Sequence, residues 1–127
     1  MTHFHTEHPI ARKPHLCEMC GRRIDPGEKY RRGSGMDGAT AWTWIECAHC
    51  AALAAYIGRI DDYYDEGYGF DLFHEWEPET VEHLRIKALA TRRRWRRADG
   101  SLYPVPVVAW TDDRMNRISL HAGQVQP

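Results

Sequence analysis

Two pairs of cysteines constrain this chain more than any other feature of its sequence. Two residues separate Cys17 from Cys20, two separate Cys47 from Cys50, and 26 residues lie between the pairs. This spacing allows both sulfurs of one tight turn to reach the same ion, and two such pairs complete a zinc tetrahedron. The sequence therefore predicts one structural Zn²⁺ ion bound by Cys17, Cys20, Cys47 and Cys50.

The expected compartment supports a metal site over disulfides. The N-terminal segment MTHFHTEHPIARKPH lacks the apolar middle of a signal peptide, and no apolar run approaches the roughly 20 residues of a membrane span. We therefore expect a cytoplasmic protein without a membrane partner, where disulfides are disfavoured. The alternatives are four unrelated buried thiols, or a redox Cys-x-x-Cys, which lacks the βαβ pattern that usually surrounds it.

Two histidines beside the cysteines keep the ligand set open. His15 or His49 could replace one thiol, although four cysteines are the expected ligands. A closed four-thiolate site leaves zinc no open position, so the ion is predicted to be structural. The resulting centre has a formal charge of −2, and the nearby cations expected to offset it are Arg22, Arg23, Lys29, Arg31 and Arg32.

The segment around the cysteines predicts a short β-rich module that ends in a helix. Residues 28–32 and 39–46 are predicted strands joined by a flexible GSGMDG segment, with Trp42 and Trp44 on one face of the second strand. Residues 47–67 are a predicted helix, with Leu53 and Ile57 at helical spacing. A cysteine turn, two strands and a helix with the last ligands form the order of a treble clef.

The motif CEMCGRRIDPGEKYRR…WIECAHC resembles small treble-clef zinc proteins of actinobacteria and their phages, most of which have no assigned activity. The positions that carry the resemblance are Cys17, Cys20, Ile24, Gly27, Glu28, Tyr30, Cys47 and Cys50. The resemblance covers about residues 15–55 and implies a zinc fold and a phage or mobile-element setting. LIM-like and poly-ADP-ribose-polymerase-like fingers have similar spacing, but the latter carry histidine where this chain has Cys47.

The second half predicts a helix and a hairpin. The helix starts near Pro78, with Val81, Leu84, Ala88 and Trp95 facing inward, and a turn at Asp99-Gly100 closes the hairpin. The predicted fold class is α+β: a small zinc-binding, treble-clef (zinc-ribbon-like) module followed by helices and a short β-hairpin. The predicted organisation is a flexible histidine-containing tail (1–14), the zinc module (15–67) and a helix-plus-hairpin extension packed on it (68–127).

A dense run of cations follows the predicted helix and indicates nucleic-acid binding. Residues 85–97 contain seven basic and no acidic groups, whereas residues 51–84 contain nine acidic groups and only Arg59 as a cation. Arginines can neutralise phosphates, and Trp95 among them offers a stacking surface for bases. The predicted nucleic-acid-binding residues are Arg92, Arg93, Arg94, Trp95, Arg96 and Arg97. The alternative is a dipole-capping, acid-paired helix end with Trp95 in the core.

The rival hypothesis is a protein-interaction module that targets a host or regulatory protein. The aromatic segment 63–76, with Phe70, Phe73 and Trp76, has an acidic and apolar character suited to a basic partner. Self-association through an edge strand at residues 101–108 would give a homo-oligomer.

No catalytic residues are predicted, and we expect a protein that is not an enzyme. An HNH-type nuclease is the closest enzyme class, but such a site needs a histidine base on the strand, and residues 40–46 contain none. The pairs Asp61/Asp65 and Asp62/Glu66 could hold Mg²⁺, but a solvated helix end explains them as well.

Overall fold

The computed structural model describes residues 2–60, 69–111 and 114–120. The chain divides into two compact units, Met1–Ala51 and Ala52–Pro127. The division falls inside a helix, whereas the sequence places the module boundary after residue 67. The acidic pairs at residues 61–66 lie outside the described residues.

The first unit consists of two small antiparallel sheets and the start of a helix. Strands β1, β4 and β5 form a three-stranded sheet in the order β1-β4-β5, and β2 pairs with β3. The elements are β1 (Thr2–Glu7), β2 (His15–Leu16), β3 (Arg23–Ile24), β4 (Tyr30–Asp37), β5 (Thr40–Cys47) and α1 (Ala48–Ile60). The second unit therefore begins within α1.

The N-terminal segment is not the mobile tail that its sequence suggests. Residues Thr2–Glu7 form β1, which pairs antiparallel with β4 from Thr2↔Asp37 to Glu7↔Arg32. The physical reason is that β4 would otherwise present an unpaired row of backbone groups along one edge, and β1 satisfies them. The sequence of residues 2–7 does not predict this pairing, because the partner strand lies far away in sequence.

The predicted hairpin of β4 and β5 is present and longer than expected. The strands pair from Tyr30↔Cys47 to Asp37↔Thr40, so most of the GSGMDG segment belongs to β4. Gly38 begins the connecting turn at a φ of 64°, a conformation that glycine adopts without steric cost. Opposite Trp42 and Trp44, β4 carries Gly35 and Gly33, so each indole has room over a glycine on the neighbouring strand.

The second unit contains short helices and a C-terminal hairpin. Its core includes Leu53 and Ile57 of α1, both fully buried as their spacing predicts. The remaining elements are α2 (Leu72–Glu75), α3 (Val81–Ala88), a π-helical turn (Leu89–Arg93), β6 (Val107–Thr111) and β7 (Arg114–Ser119). Strand β7 pairs antiparallel with β6.

The prediction that Val81 and Leu84 face inward is wrong, although Trp95, assigned to the same side, is buried. Val81 is 85% exposed and Leu84 is 60% exposed, whereas Ile86 is fully buried. Two contacts of His83 orient the helix: its Nε2 lies 3.1 Å from the Tyr56 hydroxyl, and its ring packs against Trp76. The helix begins at Val81, after the expected start near Pro78, because Thr80 caps it by accepting a hydrogen bond from the backbone N–H of His83.

Trp95 is a core residue at the end of the π turn. Its side chain is fully buried. Its backbone N–H donates to the Leu89 carbonyl, and its backbone carbonyl accepts a hydrogen bond from the Tyr103 N–H. Arg94 and Trp95 both adopt left-handed backbone conformations, with φ of 53° and 64°. The chain then reverses through the predicted Asp99-Gly100 turn into an antiparallel bridge. In the part of the chain that the structure describes, no helix is long and apolar enough to cross a membrane.

The left-handed conformation of Arg94 generates a stability prediction. We expect the free energy of unfolding of Arg94→Gly to exceed that of Arg94→Ala by about 1 kcal/mol, because only glycine avoids the Cβ clash there. The glycine variant should therefore melt at a higher temperature. Both variants lose the same charge, so the comparison isolates the backbone. Thermal unfolding followed by circular dichroism measures the difference. An alanine variant as stable as the glycine variant would contradict the described turn.

Candidate metal centre

Four cysteine sulfurs converge in the first unit. Cys17 and Cys20 lie in the turn between β2 and β3, Cys47 ends β5, and Cys50 lies in the first turn of α1. Their Sγ atoms all lie within 4.8 Å of one another, and three of the four residues are buried. A regular thiolate tetrahedron with metal–sulfur bonds of about 2.3 Å has sulfur–sulfur edges of about 3.8 Å. The four thiols can therefore hold one metal ion with small adjustments.

Local hydrogen bonds shape the turn that carries the first cysteine pair. The Gly21 N–H donates to the Cys17 carbonyl at 2.8 Å, and the Cys17 N–H donates to the Arg22 carbonyl at 2.9 Å. Gly21 has a φ of 80°, which permits the chain to reverse tightly after Cys20. Glu18 then joins this turn to β5, because its N–H and its carboxylate bond the carbonyl and N–H of Ile45.

Backbone N–H groups point at two of the sulfurs. The Cys17 sulfur lies 3.5 Å from the Cys20 nitrogen and 3.3 Å from the Cys47 nitrogen, and the Cys47 sulfur lies 3.5 Å from the Cys50 nitrogen. Such contacts stabilise a thiolate relative to a thiol, since the donors face the developing negative charge. The arrangement favours the deprotonated form that binds metals.

Without a cation the four thiols cannot all ionise. Hydrogen bonding with the Cys20 thiol, then with those of Cys47 and Cys50, holds the pKa of Cys17 below its ordinary value. Burial raises the pKa of Cys50. The pKa of Cys20 is lowered as well and that of Cys47 is raised, so two sulfurs ionise at the expense of the other two, and a bound cation would remove this competition by compensating all four charges together.

A buried arginine lies against the cysteine cluster. The Arg22 side chain is 1% exposed, and Coulombic attraction and hydrogen bonding connect its guanidinium to Cys47. Burial opposes its charge, but hydrogen bonds to Glu28 and the nearby thiolate outweigh it and raise the pKa of Arg22 above its ordinary value. Of the five cations predicted to offset the centre, Arg22 is the buried one with this contact. Arg23 pairs with Asp25, Arg31 with Glu46, and Arg32 with Glu7.

Glu28 and His49 hold Arg22 in place. Glu28 accepts two hydrogen bonds from the guanidinium, at 2.8 and 3.2 Å, and a third from the Asp25 N–H at 2.7 Å. His49 Nδ1 lies 3.3 Å from Arg22 Nη2, and because an arginine only donates, Nδ1 is the acceptor. The sequence contains Glu28 within its Gly-Glu-x-Tyr motif, yet the burial of Arg22 behind it has no sequence signal.

The two candidate histidine ligands lie outside the cluster that the described residues form. His49 contacts Arg22, and the His15 ring packs on Tyr30 with centroids 4.9 Å apart. The cluster itself consists of Cys17, Cys20, Cys47 and Cys50.

The predicted nucleic-acid-binding residues occupy the π turn and the chain reversal after it. Arg92, Arg93, Arg94 and Arg97 are exposed, and Arg96 is half-buried. Trp95 is fully buried and so does not offer the exposed stacking surface that the sequence suggests. Its ring fills the core because the left-handed turn directs it inward, in line with the alternative interpretation of Trp95.

Comparison with protein-family models finds no match, and none is found among curated proteins or solved structures. The resemblance to treble-clef proteins of actinobacteria and their phages therefore stays a prediction from eight positions. What the four thiols can do depends on their own distances, hydrogen bonds and charges.

The Arg22–Glu28 pair generates a pH-dependent prediction. Burial opposes the charge of Glu28, but hydrogen bonds from Arg22 and Asp25 outweigh it and lower its pKa. We expect Glu28→Gln to destabilise the metal-loaded protein by about 2 kcal/mol at pH 7, less than for a fully buried pair because Glu28 is partly solvated.

The same depressed pKa sets the sign of the pH effect. The stabilisation contributed by ionised Glu28 is complete above the ordinary pKa of a glutamate. It is lost as the pH falls through the lower pKa that Glu28 has in the folded protein. Denaturant unfolding of both proteins from pH 7 to pH 3, in excess metal, measures the difference. A difference that grows on acidification would contradict this assignment. Asp25→Asn, which removes an exposed carboxylate nearby, is the control and should have little effect.

Proposed function

We propose that this chain is a small structural-zinc protein of the treble-clef type that acts as a non-catalytic nucleic-acid-binding adaptor. The observation that carries the zinc assignment is the convergence of four cysteine sulfurs within 4.8 Å. An all-thiolate donor set favours zinc among common cellular divalent ions, and four protein ligands leave no position for substrate. The ion would therefore be structural.

The element order supports the treble-clef assignment. A cysteine turn between β2 and β3 precedes the β4–β5 hairpin, and α1 follows with the last ligand. These elements bury little apolar surface of their own, and zinc binding to such modules contributes on the order of 10–16 kcal/mol. Folding of the first unit would thus depend on the ion.

The nucleic-acid proposal rests on the basic cluster, which we define as Arg92, Arg93, Arg94, Arg96 and Arg97. Among the described residues, no ion pair joins Arg92, Arg93 or Arg94 to an acidic group. The other two are tied to the following turn: Arg96 bonds the Gly100 carbonyl, and Arg97 bonds the Leu102 carbonyl. Three unneutralised cations displayed on a strained turn suit phosphate binding.

Trp95 supports this proposal in a different role from stacking. Its buried ring anchors a turn in which Arg94 is held in a left-handed conformation, so the flanking arginines project from a fixed backbone. A fixed turn lowers the ordering entropy that phosphate binding costs. The expected affinity is electrostatic and independent of base sequence.

The alternative, a protein-interaction module, has weaker support from the aromatic segment. Phe73 is 1% exposed and Trp76 is 5% exposed, so both belong to the core, whereas Phe70 is 68% exposed; the part of the segment before residue 69 lies outside the described residues. Exposed Val81 and Leu84 on α3 are the observation that keeps this alternative open.

The zinc assignment predicts one zinc ion per purified chain, measured by elemental analysis. Cys17→Ser and Cys50→Ser should each reduce the zinc content and the melting temperature, because a hydroxyl is a poor replacement for a thiolate ligand. His15→Gln is the matched control and should retain one zinc, since His15 lies outside the thiol cluster. A Cys17→Ser protein that keeps zinc and melts like the wild type would contradict the assignment.

The basic cluster predicts a change in salt dependence. The triple variant Arg92→Glu, Arg93→Glu, Arg94→Glu should elute earlier from heparin, and the salt slope for single-stranded DNA should shrink by about 2, since three phosphate contacts are lost. The control carries the same charge change at exposed Arg23, Arg85 and Arg117. If both triple variants lose binding equally, only net charge matters and the cluster is not a site.

A further inference from the structure

An open groove of about 840 Å³ lies in the first unit, apart from the cysteine cluster. Three cations and two histidines line it together with Tyr30: Arg12, Lys13, Arg32, His8 and His15. In the part of the chain that the structure describes, none of its lining residues is acidic. The volume falls in the range of small-molecule sites, which is about 300–1,000 Å³.

Backbone hydrogen bonds preform the groove. The segment from Pro9 to Ala11 is tied to the start of β4: Ala11 exchanges hydrogen bonds of 2.8 Å with Glu28 and Gly27, and the Tyr30 N–H donates to the Pro9 carbonyl at 3.0 Å. Ala11 is buried, which anchors the chain before it turns outward. A ligand would therefore meet a shaped surface and would not have to order a loop.

Two of the three cations of the groove have no acidic partner in the described part of the chain. Arg12 and Lys13 are exposed and form neither a hydrogen bond nor an ion pair with any residue that the structure describes. Arg32 approaches Glu7 only at 3.9 Å, the length of a weak surface pair. Positive charge concentrated along one concave surface favours an anionic ligand, and arginine favours phosphate because its planar fork bonds two oxygens at once.

The rest of the lining favours a flat, apolar group beside that anion. Ile10 is 64% exposed and forms a wall with Pro9, while the rings of His15 and Tyr30 lie at a centroid distance of 4.9 Å. Tyr30 lines the groove, and its hydroxyl is not among the buried side-chain atoms that lack a partner, so it can bond solvent or a ligand. A tyrosine hydroxyl can donate one hydrogen bond and accept others, which suits a polar atom of a ligand beside the flat group.

We propose that this groove binds a nucleotide. Arg12 and Lys13 bind its phosphate, the base packs against Ile10, Pro9 and the His15 ring, and the Tyr30 hydroxyl donates a hydrogen bond to the ligand. The same chemistry occurs in a free mononucleotide and in an exposed nucleotide of a single strand. The site lies in the first unit and is separate in sequence from the basic cluster, so it goes beyond the proposed function.

Fluorescence anisotropy of labelled AMP, titrated with the full-length zinc-loaded protein, tests this proposal. Competition with unlabelled AMP, inorganic phosphate and adenosine separates the two halves of the ligand. We expect AMP to bind at least about tenfold more tightly than either fragment, because each fragment makes only part of the contacts. Equal competition by AMP and phosphate, or by an oligoglutamate peptide of matched charge, would overturn the proposal, since charge alone would then explain the binding.

Two sets of variants assign the binding to the groove. Arg12→Gln with Lys13→Gln should weaken AMP binding at least about tenfold, and Tyr30→Phe, which removes only the hydroxyl, about fivefold. The control, Arg92→Gln with Arg93→Gln, should leave AMP affinity unchanged while it weakens polynucleotide binding. If that control loses AMP affinity and the Arg12/Lys13 variant does not, the groove is not the site.

Zinc content and melting temperature, measured on every variant, keep a folding defect distinct from lost contacts. Arg12 and Lys13 are exposed, so their replacement should change neither quantity. A tetranucleotide that displaces AMP identifies a single strand as a source of the ligand, and displacement by AMP alone identifies the free nucleotide; both support the groove. Failure of AMP to bind at all overturns this proposal without affecting the adaptor function, which depends on Arg92–Arg94.

Discussion

The mutual repulsion of four sulfurs is the constraint on which the first unit depends. Bringing Cys17, Cys20, Cys47 and Cys50 within 4.8 Å concentrates negative charge wherever the thiols ionise, in a largely buried place. A divalent cation would remove most of that cost, and the protein contributes further stabilisation through N–H groups aimed at sulfur and the guanidinium of Arg22. Glu28 and His49 in turn hold the Arg22 guanidinium in place. Two layers of side chains therefore surround the cysteine cluster.

In the second unit, a buried aromatic side chain fixes a segment whose like charges repel one another. Five arginines in six residues repel one another, and this repulsion does not favour any one backbone conformation. The fully buried Trp95 fixes the conformation of the π turn and of the left-handed residue Arg94. Strain of this kind is retained where the surroundings over-determine it and frequently accompanies a binding role. The hydrophobic core thus positions the cationic surface.

Local patterns were reliable where covalent spacing decides the outcome. The two Cys-x-x-Cys pairs, the hairpin between them, the helix after Cys47 and the Asp99-Gly100 turn all follow from neighbouring residues, and the described residues contain each of them. Patterns failed where distant residues compete. Val81 and Leu84 have helical spacing, yet the contacts of His83 with Tyr56 and Trp76 rotate a different face inward. The order of residues 2–7 likewise depends on the open edge of β4.

The sequence by itself determined the two cysteine pairs and the α+β character, because thiol spacing and hydrophobic period act over a few residues. Only the tertiary structure decided which of the charged and aromatic side chains are buried. It buries Arg22 beside Cys47, withdraws Trp95 from the surface, and folds the N-terminal segment over Tyr30 to make a cationic groove. These outcomes depend on contacts between residues far apart in the chain, and burial is a property of such contacts and not of residue type.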